Sequence, residues 1–304
     1  MTAAGAIPRV APPAHSPHTS SHAAPGWNAS LALAYARRNG RTTLVEQTHD
    51  GPLVVQKPLY PDGDGRCETI VLHPPGGIAG GDRLSIAVDV GAGCELLLTT
   101  PGATRWYKAN GRRAAQAVTL RVQANAIAEW LPLETIVFDR ADARSSLSIE
   151  LHGDACAAGW EVVAYGRAAM GERFATGCFR QAIDVRRDGR LLWAERGEIR
   201  GADPLLDSPV GLAGSPVAGL LWCAATREFD PRADSASEAA HASLARADAD
   251  SVRLGITRLP GGIVLARALG NSTEAVKQSL ARTWERWRPH YARRALCAPR
   301  LWAT

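Results

Sequence analysis

The stretch RLSIAVDVGAGCELLLTT, Arg83 to Thr100, decides the fold class. Leu84, Ile86, Val88 and Val90 alternate with polar or small residues, the period of two that marks a strand with one buried face. Gly91-Ala92-Gly93 then turns the chain into a second apolar run, Glu95 to Leu98. The same grammar recurs outward in both directions. Val118, Leu120 and Val122 alternate, as do Leu147, Ile149 and Leu151, and Ile183 and Val185 lead through Asp188-Gly189 into Leu191-Leu192-Trp193. Leu44 to Gln56 reads as two short strands hinged at Asp50-Gly51, and Arg253 to Leu269 folds back at Pro260-Gly261-Gly262. Alternation with turn signals between runs predicts a large, mainly β and mostly antiparallel structure.

Helical signals lie towards the C-terminal part. Ser215-Pro216 has the form of an N-cap followed by proline at the first helical position, which predicts a helix over 216–226. Ser272 is placed to cap a second helix with Glu274 in its first turn and Pro289 as its stop, predicting 272–288. On that helix Val276, Leu280, Trp284 and Trp287 make one apolar stripe, with Arg282 and Arg286 mostly off it. Such a stripe faces a core or, with two tryptophans beside a basic end, a partner protein; the latter reading implies poor solubility without partners. The Ala-rich stretch Ser235 to Ala249 fits either a third helix or a loop. Residues 1–26, rich in Pro, Ala, Ser and His, read as a disordered tail, with 27–304 as one β-rich unit. Three tail histidines, His15, His18 and His22, lack the fixed geometry of a metal site.

Composition narrows the function classes. Six scattered cysteines without a CxxC or CxxH pair argue against a zinc module and for free thiols. No basic-then-apolar leader pattern opens the sequence, so the expected home is the cytoplasm. The uncharged stretch Ser208 to Thr226 is broken by prolines and glycines, a poor membrane span. Net charge is +5. From Ser272 to Thr304 seven bases face two acids, an excess that equals the net charge of the whole chain. A basic end of this kind suits an acidic protein surface at least as well as nucleic acid.

Familiar catalytic patterns are missing. HPPGGIAGGDR (His73 to Arg83) has neither the glycine spacing of a dinucleotide loop nor the Gly-Lys-Ser/Thr end of a P-loop, and Asp82 would repel a phosphate. Asp62 and Asp64 begin like a calcium loop, but Arg66 and His73 stand where acidic ligands belong. Neither GxSxG nor HExxH occurs. What remains is a series of turn-like segments carrying acids: Asp82; Glu129, Glu134, Asp139 and Asp142; Glu172; Glu195 and Glu198. An acid within an apolar run, such as Glu134 before Thr135-Ile136-Val137-Phe138, is costly to bury unless paired or metal-bound, and arginine pairing is the simpler alternative.

In this order, those segments resemble the UreD (UreH) family of urease accessory proteins. The resemblance rests on GRTTLVEQTHDGPLVVQKPLYPDG (Gly40 to Gly63), LHPPGGIAGGDRL (Leu72 to Leu84), TTPGATRWYK (Thr99 to Lys108), EWLPLETIVFDRADA (Glu129 to Ala143), GRAAMGERF (Gly166 to Phe174) and ITRLPGGIVLARALG (Ile256 to Gly270). It runs from about Trp27 to Arg294, with mild departures at Ala79 and Trp106. It implies a non-enzymatic scaffold with an elongated, β-helix-like fold, partnered by UreF, UreG and the urease structural subunits, with no membrane or nucleic acid among its partners. The family's helical C-terminal region engages UreF, which points to Val276, Leu280, Arg282, Trp284, Arg286 and Trp287. The resemblance also implies transient passage of nickel with no tightly bound cofactor. A conduit needs sparse oxygen ligands, since a full His/Cys set would trap Ni²⁺. By motif position and apolar surroundings the candidates are Asp82, Glu134, Asp139, Glu172 and Glu195. The rival readings are a β-helical hydrolase acting on a polymer, which would need paired acids in an open cleft, and a nucleic-acid binder.

Overall fold

Arg66, Glu95, Ile127 and Cys156 stand side by side in one row of parallel strands, and Ile78, Trp106, Val137 and Tyr165 in another. A chain that returns to the same position again and again is a solenoid. This computed structural model describes residues 26–61, 63, 65–227, 229–231, 252–292, 299 and 302. The tail with His15, His18 and His22, together with Asp62, Asp64, Ser235 to Ala249, Arg293, Arg294, Cys297 and Arg300, lies outside them.

The chain enters as a hairpin, β1 (Asn28–Arg38) and β2 (Arg41–Asp50), and crosses to a short β3 (Val54–Val55). Three coils of three strands follow. The first is β4 (Arg66–Leu72), β5 (Gly77–Ile78) and β6 (Arg83–Val90). The second is β7 (Glu95–Thr99), β8 (Thr104–Trp106) and β9 (Ala114–Val122), and the third β10 (Ile127–Trp130), β11 (Thr135–Val137) and β12 (Asp142–Leu151). A fourth coil fuses its first two sides into one long strand, β13 (Cys156–Arg167), before β14 (Glu172–Arg173) and β15 (Cys178–Arg187). The chain then turns back through β16 (Arg190–Arg200), β17 (Val217–Ala224), β18 (Arg253–Leu259) and β19 (Ile263–Gly270), and α1 (Thr273–Tyr291) lies down last.

Two sheets result, β16-β15-β12-β9-β6-β1-β2 and β18-β19-β17-β13-β10-β7-β4-β3, the short middle strands extending the second. Their central ladders are parallel and only the flanks are antiparallel, which corrects the mostly antiparallel expectation. Alternation reports which face is buried, not the direction of the neighbour. Gly91-Ala92-Gly93 turns a corner between sheets, so each strand pairs with one a full coil away. Asp50-Gly51 is likewise a turn between sheets and not a hairpin. The first hairpin turns at Asn39-Gly40, where both residues have positive φ (50° and 77°) as a type I′ turn requires. Hairpins at Asp188-Gly189 and Pro260-Gly261-Gly262 stand where the sequence predicts them.

Between the sheets, inward residues stack in rows such as Leu33, Val88, Leu120, Ile149 and Val185, all buried. A second core lies on the opposite face of β13 and β17, under α1. The helix predicted over 216–226 is instead strand β17, flanked on both sides by β13 and β19. An apolar run of eight residues has strand length, and a Ser-Pro entry serves a strand as well as a helix. Ser272 Oγ does cap α1, accepting from the Ala275 N–H at 3.3 Å, but the helix runs past Pro289 to Tyr291. Only the last turn is affected, and proline's fixed φ fits a helix. α1 sits close because Gly219 has no Cβ: one placed there would lie 2.6 Å from Val276 Cγ1.

Candidate functional site

HPPGGIAGGDR forms the middle side of the first coil, joining β4 to β6 through β5. Its glycines let backbones touch: a Cβ on Gly80 would lie 1.8 Å from the Ala109 carbonyl oxygen. Asp82 closes the loop. Its Oδ1 accepts from the Trp27 N–H and its Oδ2 from the Ala79 N–H, each at 2.8 Å. His73 is partly buried, which pulls its imidazole below the usual range, and the Asp82 charge opposes that shift. It lines a cavity of about 160 Å³ inside the coils together with Thr104, Gln116 and Trp130.

The remaining acids from the sequence all have partners. Glu134 lies 3.5 Å from Lys277 Nζ on α1. Asp139 Oδ1 accepts from the backbone N–H groups of Ala175 and Thr176 at 2.9 and 2.7 Å and from the Thr176 hydroxyl. Burial pushes the Asp139 carboxyl up, but those bonds outweigh it and hold it below the usual range. Glu172 is held low by the Arg167 guanidinium, whose Nε donates at 3.1 Å. The Asp139 N–H donates to Glu172 Oε1, so these two acids meet. Glu195 on β16 pairs with Arg267 on β19 at 2.7 Å. The other candidates are dispersed. Among the described residues no three His, Cys, Asp or Glu side chains converge as a metal site.

A polar lane that motif reading did not assemble runs through the interior. Gln116, Ser145 and Gln181 occupy one inward row across β9, β12 and β15, all half-buried. Gln181 Nε2 donates to Glu161 Oε2 on the facing β13, and Glu195 stands near Glu161. Burial lifts the Glu161 carboxyl from 4.5 to about 7, the Gln181 hydrogen bond opposing and the Glu195 charge adding to the rise. Glu161 carries the signal that drew attention to Glu134, an acid inside an apolar run, here Gly-Trp-Glu-Val-Val.

The candidate partner helix turns its apolar stripe inward. Val276, Leu280, Trp284 and Trp287 are all buried against β17, β19 and β13, so the expectation of an exposed aromatic face is corrected. Trp160, Trp284 and Trp302 cluster there with ring centroids 4.7–6.1 Å apart. Arg282 is exposed and Arg286 half-buried on the outward side, beside Glu285. Beneath the helix Glu129, 1% exposed, accepts from Trp284 Nε1 at 2.8 Å, Tyr291 OH at 2.7 Å and Arg288 Nε at 3.2 Å. Its placement in the apolar run Ile-Ala-Glu-Trp-Leu was the available signal.

Coiled parallel strands around a largely apolar interior, covered on one outer face by α1, define a β-solenoid, and the comparisons give its family. The family model described as "UreD urease accessory protein" matches residues 28–303. The UreD urease accessory protein of Dechloromonas aromatica is 46% identical over 280 residues, covering 92% of this chain and 96% of that one. Its counterpart in Methylobacillus flagellatus is 45% identical, covering 94% and 98%, and that of Pseudomonas fluorescens Pf0-1 is 46% identical, covering 92% and 96%. The chain belongs to the UreD family of urease accessory proteins, and its role lies in urease maturation. Among the described residues no helix is long and apolar enough to cross a membrane.

Proposed function

We propose that the chain is a non-catalytic scaffold of the cytoplasm that binds UreF, UreG and apo-urease and guides nickel towards the urease active site. The observation that carries the nickel part is the half-buried lane of Gln116, Ser145, Gln181 and Glu161 between the two sheets, with Glu195, paired to Arg267, beside Glu161. Amide and carboxylate oxygens hold Ni²⁺ more weakly than imidazole or thiolate sets, which suits release. Burial raises the Glu161 carboxyl to about 7, so near neutrality a proton competes with an arriving cation and its return favours release. Asp82 and Asp139 have their oxygens engaged by backbone N–H groups and serve the route by fixing its loops. Glu134 and Glu172 hold Lys277 and Arg167. Arginine pairing of Glu172 and Glu195 weighs against a hydrolase with free acids in a cleft.

The test is co-expression with UreF, UreG and the urease subunits, reading partner retention and nickel-dependent urease activity. Retention of the partners and activity that requires this chain are expected. A Glu161→Gln/Glu195→Gln variant is expected to keep its partners while urease activation falls at least tenfold. Activity independent of the chain would sink the scaffold reading, and full activation by the double variant would sink the route.

A further inference from the structure

The polar lane reaches solvent at one end. Its row of Gln116, Ser145 and Gln181 continues onto the edge strand β16 at Gly197, which pairs with Gln181 and is exposed. Glu195 stands on the same inward face two residues earlier, opposite the buried Ile183. On the other sheet, Glu161, Leu220 and Arg267 form one row across β13, β17 and β19. Arg267 Nη2 donates to Glu195 Oε2 at 2.7 Å, so an ion pair joins the two sheets across the mouth of the lane.

This pair is placed to open. The side chains of Arg267 and Glu195 are 49% and 31% exposed, and an ion pair that wet contributes little to stability. The guanidinium also has room to move. Its neighbour on β18 is Gly255, where an added Cβ would meet no described atom within 4 Å, and a Cβ on Gly197 would approach Gln181 alone, at 4.0 Å. Glycine weakens a strand interior and often marks a place that a ligand approaches closely. Arg253, two residues before Gly255 on the same face of β18, is engaged elsewhere: it donates to Ser215 Oγ at 3.1 Å and to the Ala213 carbonyl at 3.4 Å. Arg267 is thus the cation that faces the two acids, Glu161 and Glu195.

We infer that Arg267 is the latch of the lane: it holds Glu195 at rest, yields it to a passing Ni²⁺, and takes it back as the ion leaves. The inference rests on the nickel route proposed above. A divalent ion carries twice the charge of a guanidinium and attracts Glu195 more strongly at equal distance. Without a returning cation, Glu161 and Glu195 would face one another as like charges and hold the ion in place. With Arg267 at hand Glu195 has an alternative partner, and the ion is competed off. Arginine suits this exchange because it stays charged at every physiological pH. The role is one of positioning: Arg267 acts through Glu195 and does not itself bind the ion.

The test uses the full chain co-expressed and purified with UreF and UreG, and reads nickel affinity by equilibrium dialysis beside the rate of urease activation. Nickel held in the lane is counted as what Glu161→Gln/Glu195→Gln loses. Arg267→Ala is expected to hold Ni²⁺ roughly tenfold more tightly and to activate urease roughly tenfold more slowly, while melting as wild type. Arg267→Gln, which keeps much of the side chain without its charge, is expected to do the same, and Arg267→Lys to stay within about threefold of wild type in both. Adding Glu195→Gln to Arg267→Ala is expected to cancel the tighter binding. Wild-type affinity in both Arg267→Ala and Arg267→Gln overturns the latch and leaves the route standing. Slower activation without tighter binding makes Arg267 a strut between the sheets and overturns it as well. Full activation by Glu161→Gln/Glu195→Gln removes the route, and the latch with it.

Discussion

Glu129 and Glu161 lie on neighbouring strands of one sheet yet face opposite ways. Glu129 on β10 points to the outer core, where an indole, a phenol and a guanidinium donate to it at 2.7–3.2 Å. Glu161 on β13 points between the sheets, where one amide donates to it and Glu195 stands near. A buried carboxylate with a full set of donors is a lock; one with a single donor beside a second acid is poised to exchange its proton. The outer core is therefore where this fold is held shut, and the interior is where it remains responsive.

The largest effect that would break this contrast is Glu129→Ala. Removing it leaves Arg288 buried without that carboxylate, a loss of about 3–5 kcal/mol. Urea unfolding and amide exchange along α1 should show the helix released; an unchanged midpoint would mean that apolar packing alone seats α1. Trp284→Ala comes next, removing a buried indole from the Trp160–Trp302 cluster and a donor to Glu129, at about 3–4 kcal/mol by the same unfolding measurement. A loss below 1 kcal/mol would show that the cluster collapses to fill the gap.

Glu161 gives the smallest effect and the sharpest signature. Its folded carboxyl keeps its proton up to about pH 7, while the unfolded group ionises near 4.5. Between those values the folded state binds more protons, so the stability from this group is complete below about pH 4.5, declines as pH rises to about 7 and is flat above. Glu161→Gln should remove that decline; the full rise would be worth about 3 kcal/mol, and solvent at this half-buried site cuts it to about 1 kcal/mol, a gain of roughly 2–4 °C in melting temperature at pH 8. A thermal scan between pH 5 and 8 that is parallel for both proteins would remove Glu161 from the responsive region.

Much of this was legible in the sequence, for identifiable reasons. Period-two alternation in Leu84 to Val90 marks the buried face directly, and Ser272 carries its capping chemistry in its own side chain. Pairing direction was not legible, because Leu120 meets Val88 and Ile149 only after a full coil has closed. The stripe from Val276 to Trp287 is visible as periodicity, but whether it meets a partner or β17 depends on Gly219 and Gly270, which leave room for it. Asp82, Glu172 and Glu195 were visible as acids in turn-like segments; Arg167 stands only five residues from Glu172, whereas Trp27 and Arg267, which engage Asp82 and Glu195, come from distant parts of the chain. The lane through Gln116, Ser145 and Gln181 was hidden for the same reason: its members are neutral, and only the coil register lines them up.

The helix that seals the outer core is made only after the coils that it covers. Each coil finds its parallel neighbour already in place, so β4 through β13 can assemble in the order of synthesis, N-terminal part first. Glu129 and Trp160 emerge long before Trp284, Arg288 and Tyr291, and at translation rates of roughly 5–20 residues per second that interval lasts about 7–30 s. During that time the nascent solenoid displays an unsealed apolar face and an acid without its donors. A ribosome that stalls or terminates ahead of Thr273 releases a chain that has its coils and lacks their cover, which makes the synthesis of this helix a quality checkpoint for the coils made before it.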